Sequence, residues 1–176
     1  DEEQPSDLSL LAAAGAKLRE FEEKWAEYHR ANPDSEQVRP VLVVQVEDGT
    51  GKPGKHEVSR TDLEQALGTL REVLRDLSDD EVAHAFMEQS EVNFGETRVR
   101  YVKPSAIERS KSVRVVFFKR SLSTGWDCPR AEVMMSFRKV KDEVLIAQLV
   151  GRMVRTPLGY AVLDPELLAS VALYLP

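Results

Sequence analysis

A single cysteine, Cys128, stands in the 176 residues, which excludes an internal disulfide and any zinc site built on several thiolates. Histidine is nearly as scarce: His29, His56 and His84 are scattered and make no metal-ligand spacing, so no metal site is expected. Long apolar runs are missing too. None approaches the roughly 18 to 20 residues that span a bilayer. The opening segment 1–7 has neither the basic flank nor the apolar stretch of a signal peptide. The chain therefore reads as cytoplasmic, with no membrane partner. Nor is there a basic excess. A net charge of -6 argues against a protein that coats nucleic acid by bulk electrostatics and confines any such contact to local patches. The first residue is not methionine and the last eight, 169–176, are mostly apolar, so the chain reads as a fragment of a larger protein.

What is present is the composition of one ordinary domain, 42% hydrophobic and 31% charged. Leu8, Leu11, Leu18, Phe21, Trp25 and Tyr28 recur at helical spacing until Asn32-Pro33 stops the pattern, which predicts a leading helix over 8–31. The run Val41-Leu42-Val43-Val44-Gln45-Val46 reads as a strand buried on both faces of a parallel sheet. A second amphipathic helix is expected over 61–77, opened by a capping box from Thr61 to Glu64. Further strands are expected at 82–87, 98–102, 113–118 and 133–137, and a helix at about 141–155. Strands alternating with helices imply an α/β fold with a mostly parallel sheet. Residues 1–37 form the leading helix and linker, and 38–176 the main domain.

Two segments carry candidate chemistry. The first is Ser123-Thr124-Gly125-Trp126-Asp127-Cys128-Pro129-Arg130-Ala131, just past the strand 113–118. In an open α/β sheet, the loops at the carboxyl ends of strands form the ligand crevice. Gly125 permits a tight turn, and Asp127 offers an acceptor for a ribose hydroxyl or a cation. Taken alone, a strand-exit turn with Trp126 on the core and Asp127 capping an amine explains the segment equally well. The second is Gln148-Leu149-Val150-Gly151-Arg152-Met153-Val154-Arg155. At about 100° per residue, Leu145, Ile146, Leu149, Val150, Met153 and Val154 share one side of a helix, and Gln148, Gly151, Arg152 and Arg155 the other. Glycine inside a helix costs about 1 kcal/mol relative to alanine, which is most easily explained if something approaches the backbone there. Arginine's planar fork suits phosphate oxygens. A solvated face holding two arginines is the plainer alternative.

In this order, about twenty residues apart, the two segments together resemble motifs V and VI of superfamily 2 helicases. Leu122-Ser123-Thr124-Gly125-Trp126-Asp127-Cys128-Pro129 looks most like the version in the Res subunits of type III restriction enzymes and related DEAD/DEAH-type helicases. The resemblance covers about residues 38 to 165. It implies a RecA-like three-layer fold, the second of two motor domains. It also implies that Arg152 and Arg155 reach across a cleft to ATP and Mg2+ held mainly by an upstream RecA-like domain of the same chain. Arg155 would be the arginine finger and Gln148 the sensor of the γ-phosphate. Gly125, Asp127 and Gly151 would line the nucleotide. Nucleic acid, most naturally duplex DNA, would be a partner, and a modification or specificity subunit another. Many relatives carry threonine six residues before the motif V glycine. Lys119 stands there instead, so Lys119, Arg120, Ser123 and Thr124 are the candidate nucleic-acid contacts.

The stretch Gly49-Thr50-Gly51-Lys52-Pro53-Gly54-Lys55-His56 nearly spells a phosphate-binding loop but has His56 where magnesium needs serine or threonine. It reads as a surface loop, so the fragment alone should not hydrolyse ATP. Two other expectations compete: a RecA-like interaction module whose arginines grip a protein carboxylate, and a small nucleotide-binding protein acting through the 49–55 loop.

Overall fold

The β-branched run at 41–46 becomes an interior strand of a seven-stranded sheet. The structure, a computed structural model, describes residues 3–47, 61–119, 126–138, 147–148, 150–151, 153, 157–160, 162 and 166–176. Helix α1 spans Glu3–Ala31, strand β1 Leu42–Gln45 and helix α2 Leu63–Val73. Strands β2 (Val82–His84), β3 (Val92–Phe94), β4 (Thr97–Tyr101), β5 (Val115–Phe118), β6 (Val133–Ser136) and β7 (Ala172–Tyr174) follow. The sheet order is β3-β4-β2-β5-β1-β6-β7. Every neighbouring pair is parallel except the hairpin β3–β4. This is an α/β fold with a mostly parallel central sheet and an N-terminal helix, and its layout is consistent with a RecA-like fold.

Side chains alternate across the sheet because successive residues of a strand point to opposite faces. Leu42, Val44, Val115, Phe117, Val133 and Met135 face the core shared with α1 and α2. Val43, Val116, Phe118 and Met134 face a second core with Ile107, Trp126, Cys128 and Met153. Both faces are covered, which is why β1, β5 and β6 read as continuous apolar runs. In α2 the buried Leu63, Ala66, Leu67 and Leu70 fall at helical spacing. The capping expectation needs correction by one residue. Asp62, not Thr61, is the N-cap and accepts from Gln65 N at 3.0 Å, whereas the Thr61 hydroxyl accepts from Glu47 N.

Helix α1 lies beside α2 on one face of the sheet, over β1, β6 and β7. Leu11, Ala14, Leu18, Phe21 and Trp25 are all buried in the first core, each large apolar side chain contributing about 1.5–3 kcal/mol. Its end is clasped through His29. Nε2 accepts from Val38 N at 2.9 Å, and Nδ1 lies 2.7 Å from Ser35 Oγ, whose own proton goes to Asn32 O. Those partners require a neutral imidazole protonated on Nδ1, and burial holds its pKa below the usual value.

The β3–β4 hairpin turns on Gly95, which takes φ 60 at the first of two loop residues, where a II′ turn needs glycine. A Cβ there would also collide with the Glu64 carboxyl group. Gly95→Ala should therefore lower stability by about 1–2 kcal/mol. An unchanged thermal unfolding midpoint would contradict this account of the turn.

Candidate functional site at the carboxyl edge of the sheet

Parallel strands place their carboxyl ends on one edge, so the segments leaving β1, β2, β5 and β6 depart from the same side. That edge carries a row of polar side chains under an apolar sheet: Gln45, His84, Lys119 and Ser136 are all buried. Buried polar groups are costly unless hydrogen-bonded, and here the Gln45, His84 and Ser136 side chains each have a partner. Gln45 Nε2 donates to the Lys119 carbonyl at 3.3 Å, and the Ser136 hydroxyl donates to Gln45 Oε1 at 3.0 Å and accepts from Arg138 N at 3.0 Å. His84 Nε2 donates to Ser90 O at 2.8 Å, and its Nδ1 accepts from Phe86 N at 3.2 Å. The ring is thus neutral, with burial lowering its pKa despite the Ser90 carbonyl.

The predicted site residues fall in different places. Asp127 is exposed beside the buried Trp126, one residue before the buried Cys128. Gln148 and Gly151 are helical and exposed, while Met153 is helical and buried in the second core. Val150, on the side expected to be apolar, is partly buried. Among the described residues, a Cβ built on Gly151 meets nothing within 4 Å, so packing inside the chain does not require glycine there. Lys119 turns inward, its ammonium 5.0 Å from the Phe86 ring centre, and would have to leave that ring to reach a phosphate. Gly125, Arg120, Ser123, Thr124, Arg152 and Arg155 lie outside the described residues, as does the loop 49–56. Gln45 and Ser136 were not singled out by sequence reasoning. The available signal was a lone amide inside a β-branched run, which a buried strand tolerates only when the amide is bonded.

The opposite, amino edge is built of charge held mostly within the chain. Arg130, 1% exposed, donates to the carbonyls of Arg39 (2.8 Å), Val113 (3.1 Å), Ile107 (2.7 Å) and Ser110 (2.7 Å). This ties the turn after Asp127 to the linker before β1. Cys128 next to it remains a thiol, because burial, and then Glu108, push its pKa up. Arg114 forms a bidentate pair with Glu22 at 2.6 and 2.8 Å and a further bond to Glu81 at 3.0 Å. Burial opposes the Arg114 charge, but Glu22 and then Glu81 outweigh it and raise its pKa. A groove of about 630 Å3 lined by His29, Arg30, Arg39, Asp76 and Arg114 opens here. The Arg39, Asp76 and Arg114 side chains that border it are paired within the chain.

No family model, curated protein or solved structure matches the chain. Among the described residues, no group of three or more His, Cys, Asp or Glu side chains could hold a metal ion, and no helix is long and apolar enough to cross a membrane.

Proposed function

We propose that this chain is the second motor domain of an ATP-dependent nucleic-acid helicase or translocase of the type III restriction Res kind. It supplies an arginine finger to ATP and Mg2+ held mainly by a separate P-loop domain. The observation that carries the reading is the exposed Gln148 and Gly151 opposite the buried Met153, on a helix following the β6 strand. An amide and a bare backbone position face outward on the stripe that also holds Arg152 and Arg155 in the sequence. The open space at Gly151 favours close approach by a group from outside the domain, as a partner domain with its nucleotide would require. Asp127, the acidic residue of the first segment, is exposed as well. Duplex DNA is the expected track, and a modification or specificity subunit the expected further partner.

Arg155 would stabilise charge developing on the transferred γ-phosphoryl group, a role worth roughly a thousandfold or more in rate. In the full-length protein, Arg155→Ala should cut duplex-stimulated ATP hydrolysis at saturating ATP by at least about a hundredfold while nucleotide binding persists. An unchanged rate would leave a RecA-like interaction module as the better reading.

A further inference from the structure

The connection from β4 to β5 carries a charge opposite to that of the chain as a whole. Residues 98–114 hold six basic side chains, Arg98, Arg100, Lys103, Arg109, Lys111 and Arg114, against one acid, Glu108, in a protein whose net charge is -6. Glu108 does not neutralise them from outside, because its Oε2 is buried near Cys128. Three of the cations are committed within the chain. Arg114 is buried between Glu22 and Glu81, Arg98 pairs with Glu91, and Arg100 donates to the Asp80 carbonyl and the Ser112 hydroxyl. The other three face solvent. Lys103 and Arg109 are exposed, with no ion pair among the described residues. Lys111 meets only Glu36 at 3.5 Å, and both side chains are more than half exposed, at 53% and 72%, where water screens the pair.

The backbone that carries these three is tightly held. The amides of Ala106, Ile107, Arg109 and Ser110 close successive turns onto the carbonyls of Lys103, Pro104 and Ala106. Ile107 and Val113 are buried in the second core. The buried Arg130 donates to the carbonyls of Ile107, Ser110 and Val113. A segment tied in this way presents its cations at fixed places and has little conformational freedom left to lose when a partner binds. At about 2 Å per residue for tight turns, Lys103 to Lys111 spans roughly 16 Å, over which duplex DNA carries about five phosphates on each strand.

We infer that Lys103, Arg109 and Lys111 form a contact strip for the phosphate backbone of nucleic acid, on the face of the sheet opposite α1. Lysine meets phosphate as a point charge, so the grip is independent of base sequence. The strip rests on charge, exposure and a fixed backbone; the choice of duplex DNA as the polyanion rests on the motor reading above.

The test measures the affinity of the full-length protein for two duplexes of unrelated sequence and equal length as salt is varied. Combining Lys103→Ala, Arg109→Ala and Lys111→Ala should weaken binding near 0.1 M salt by at least about tenfold for both duplexes. It should also reduce the slope of log affinity on log salt by about two to three, since each lost phosphate contact removes about 0.9. The single variants Lys103→Ala and Arg109→Ala, each lowering the slope by about one, replace the triple variant should it fail to fold. Combining Arg19→Ala, Lys24→Ala and Arg30→Ala on α1 removes as many cations from the other face. It should leave affinity within about twofold and the slope unchanged, because screening acts over about 10 Å at that salt. Exchanging Lys103→Arg, Arg109→Lys and Lys111→Arg should keep the native slope, which a merely structural role for these side chains would not require. An unchanged slope in the first variant, or equal losses in both alanine triples, would overturn the strip and leave the motor reading standing. Polyglutamate of matched charge bound by the native protein as tightly as duplex DNA, and lost in the first variant, would overturn the nucleic-acid assignment in favour of an acidic protein. A native protein that binds no duplex DNA would overturn both readings, whereas full turnover in Arg155→Ala would overturn the motor reading alone.

Discussion

Arg114→Leu should lower the free energy of unfolding by about 3–5 kcal/mol, because it leaves buried carboxylates without their cation. The guanidinium is 3% exposed, and its partners Glu22 and Glu81 are 20% and 13% exposed. It is therefore shielded from the solvent that reduces most surface pairs to about 0–1 kcal/mol. The pairing also joins distant elements: Glu22 lies on α1, Asp76 follows α2, Glu81 precedes β2 and Arg114 leads into β5. Leucine preserves the apolar stem and removes only the fork, so the loss reads the ionic network rather than a cavity. Adding Glu22→Leu should recover part of it, since Glu81 retains its pairing with Arg39. Denaturant unfolding near neutral pH reads both effects, and a loss below about 1 kcal/mol would place the network with ordinary surface pairs. The exposed Lys24–Glu27 pair on α1 provides the contrast, since water and salt screen it and its removal should leave the unfolding curve unmoved.

The native protein should lose stability as pH rises from 4.5 to about 8, and Glu132→Gln should abolish that decline. Glu132 is 2% exposed, and burial raises its pKa to about 8, the Trp25 indole only partly opposing the shift. Trp25 Nε1 donates to Glu132 Oε2 at 2.7 Å, a bond a protonated carboxyl or an amide oxygen accepts equally well. In the folded protein the group keeps its proton up to about pH 8, whereas the unfolded chain releases it near 4.5. The folded state thus holds the extra proton within that window. The stabilisation is complete below 4.5 and is lost as pH climbs through 8. At about 1.4 kcal/mol per unit the span amounts to several kcal/mol. The amide of the Glu132→Gln variant cannot ionise, so its unfolding free energy should lose that slope. Unfolding curves collected across the window for both proteins decide it, and parallel curves would show that Glu132 is already ionised in the fold. Trp25 stands on α1, so the same bond fastens the leading helix to the start of β6, and Trp25→Phe should weaken this docking without creating a large cavity.

The sheet's central strands were legible because burial on both faces leaves an unmistakable run: Val43, Val116 and Met134 are as enclosed as Leu42, Val115 and Val133. Strand ends were less legible. The β2 strand was expected to reach Met87 and stops at His84, where the ring bonds Ser90 and Phe86 and draws the chain out of the sheet. Residues 89–97 have no clear pattern, yet β3 forms there. It is a short edge strand whose hairpin is set by one positive-φ glycine, not by alternation. The closing β7 strand at 172–174 looked only like an apolar terminus, and it pairs with β6 because an open sheet edge accepts a strand whatever its periodicity.

Composition, periodicity and motif order were enough to establish an α/β domain with a mostly parallel sheet, because hydrophobic burial imposes a period on each element that survives without the partners. The same residues marked Gly125, Asp127, Gln148, Gly151, Arg152 and Arg155 as the candidate chemistry. The placement of α1 beside α2 on one face of the sheet, the four carbonyls around Arg130, the pairing of Arg114 and the bridge made by Gln45 were decided by the tertiary structure alone. Each joins residues separated by long stretches of chain, and a polar side chain's partner is set by where the fold brings a complementary group, a fact no local pattern encodes.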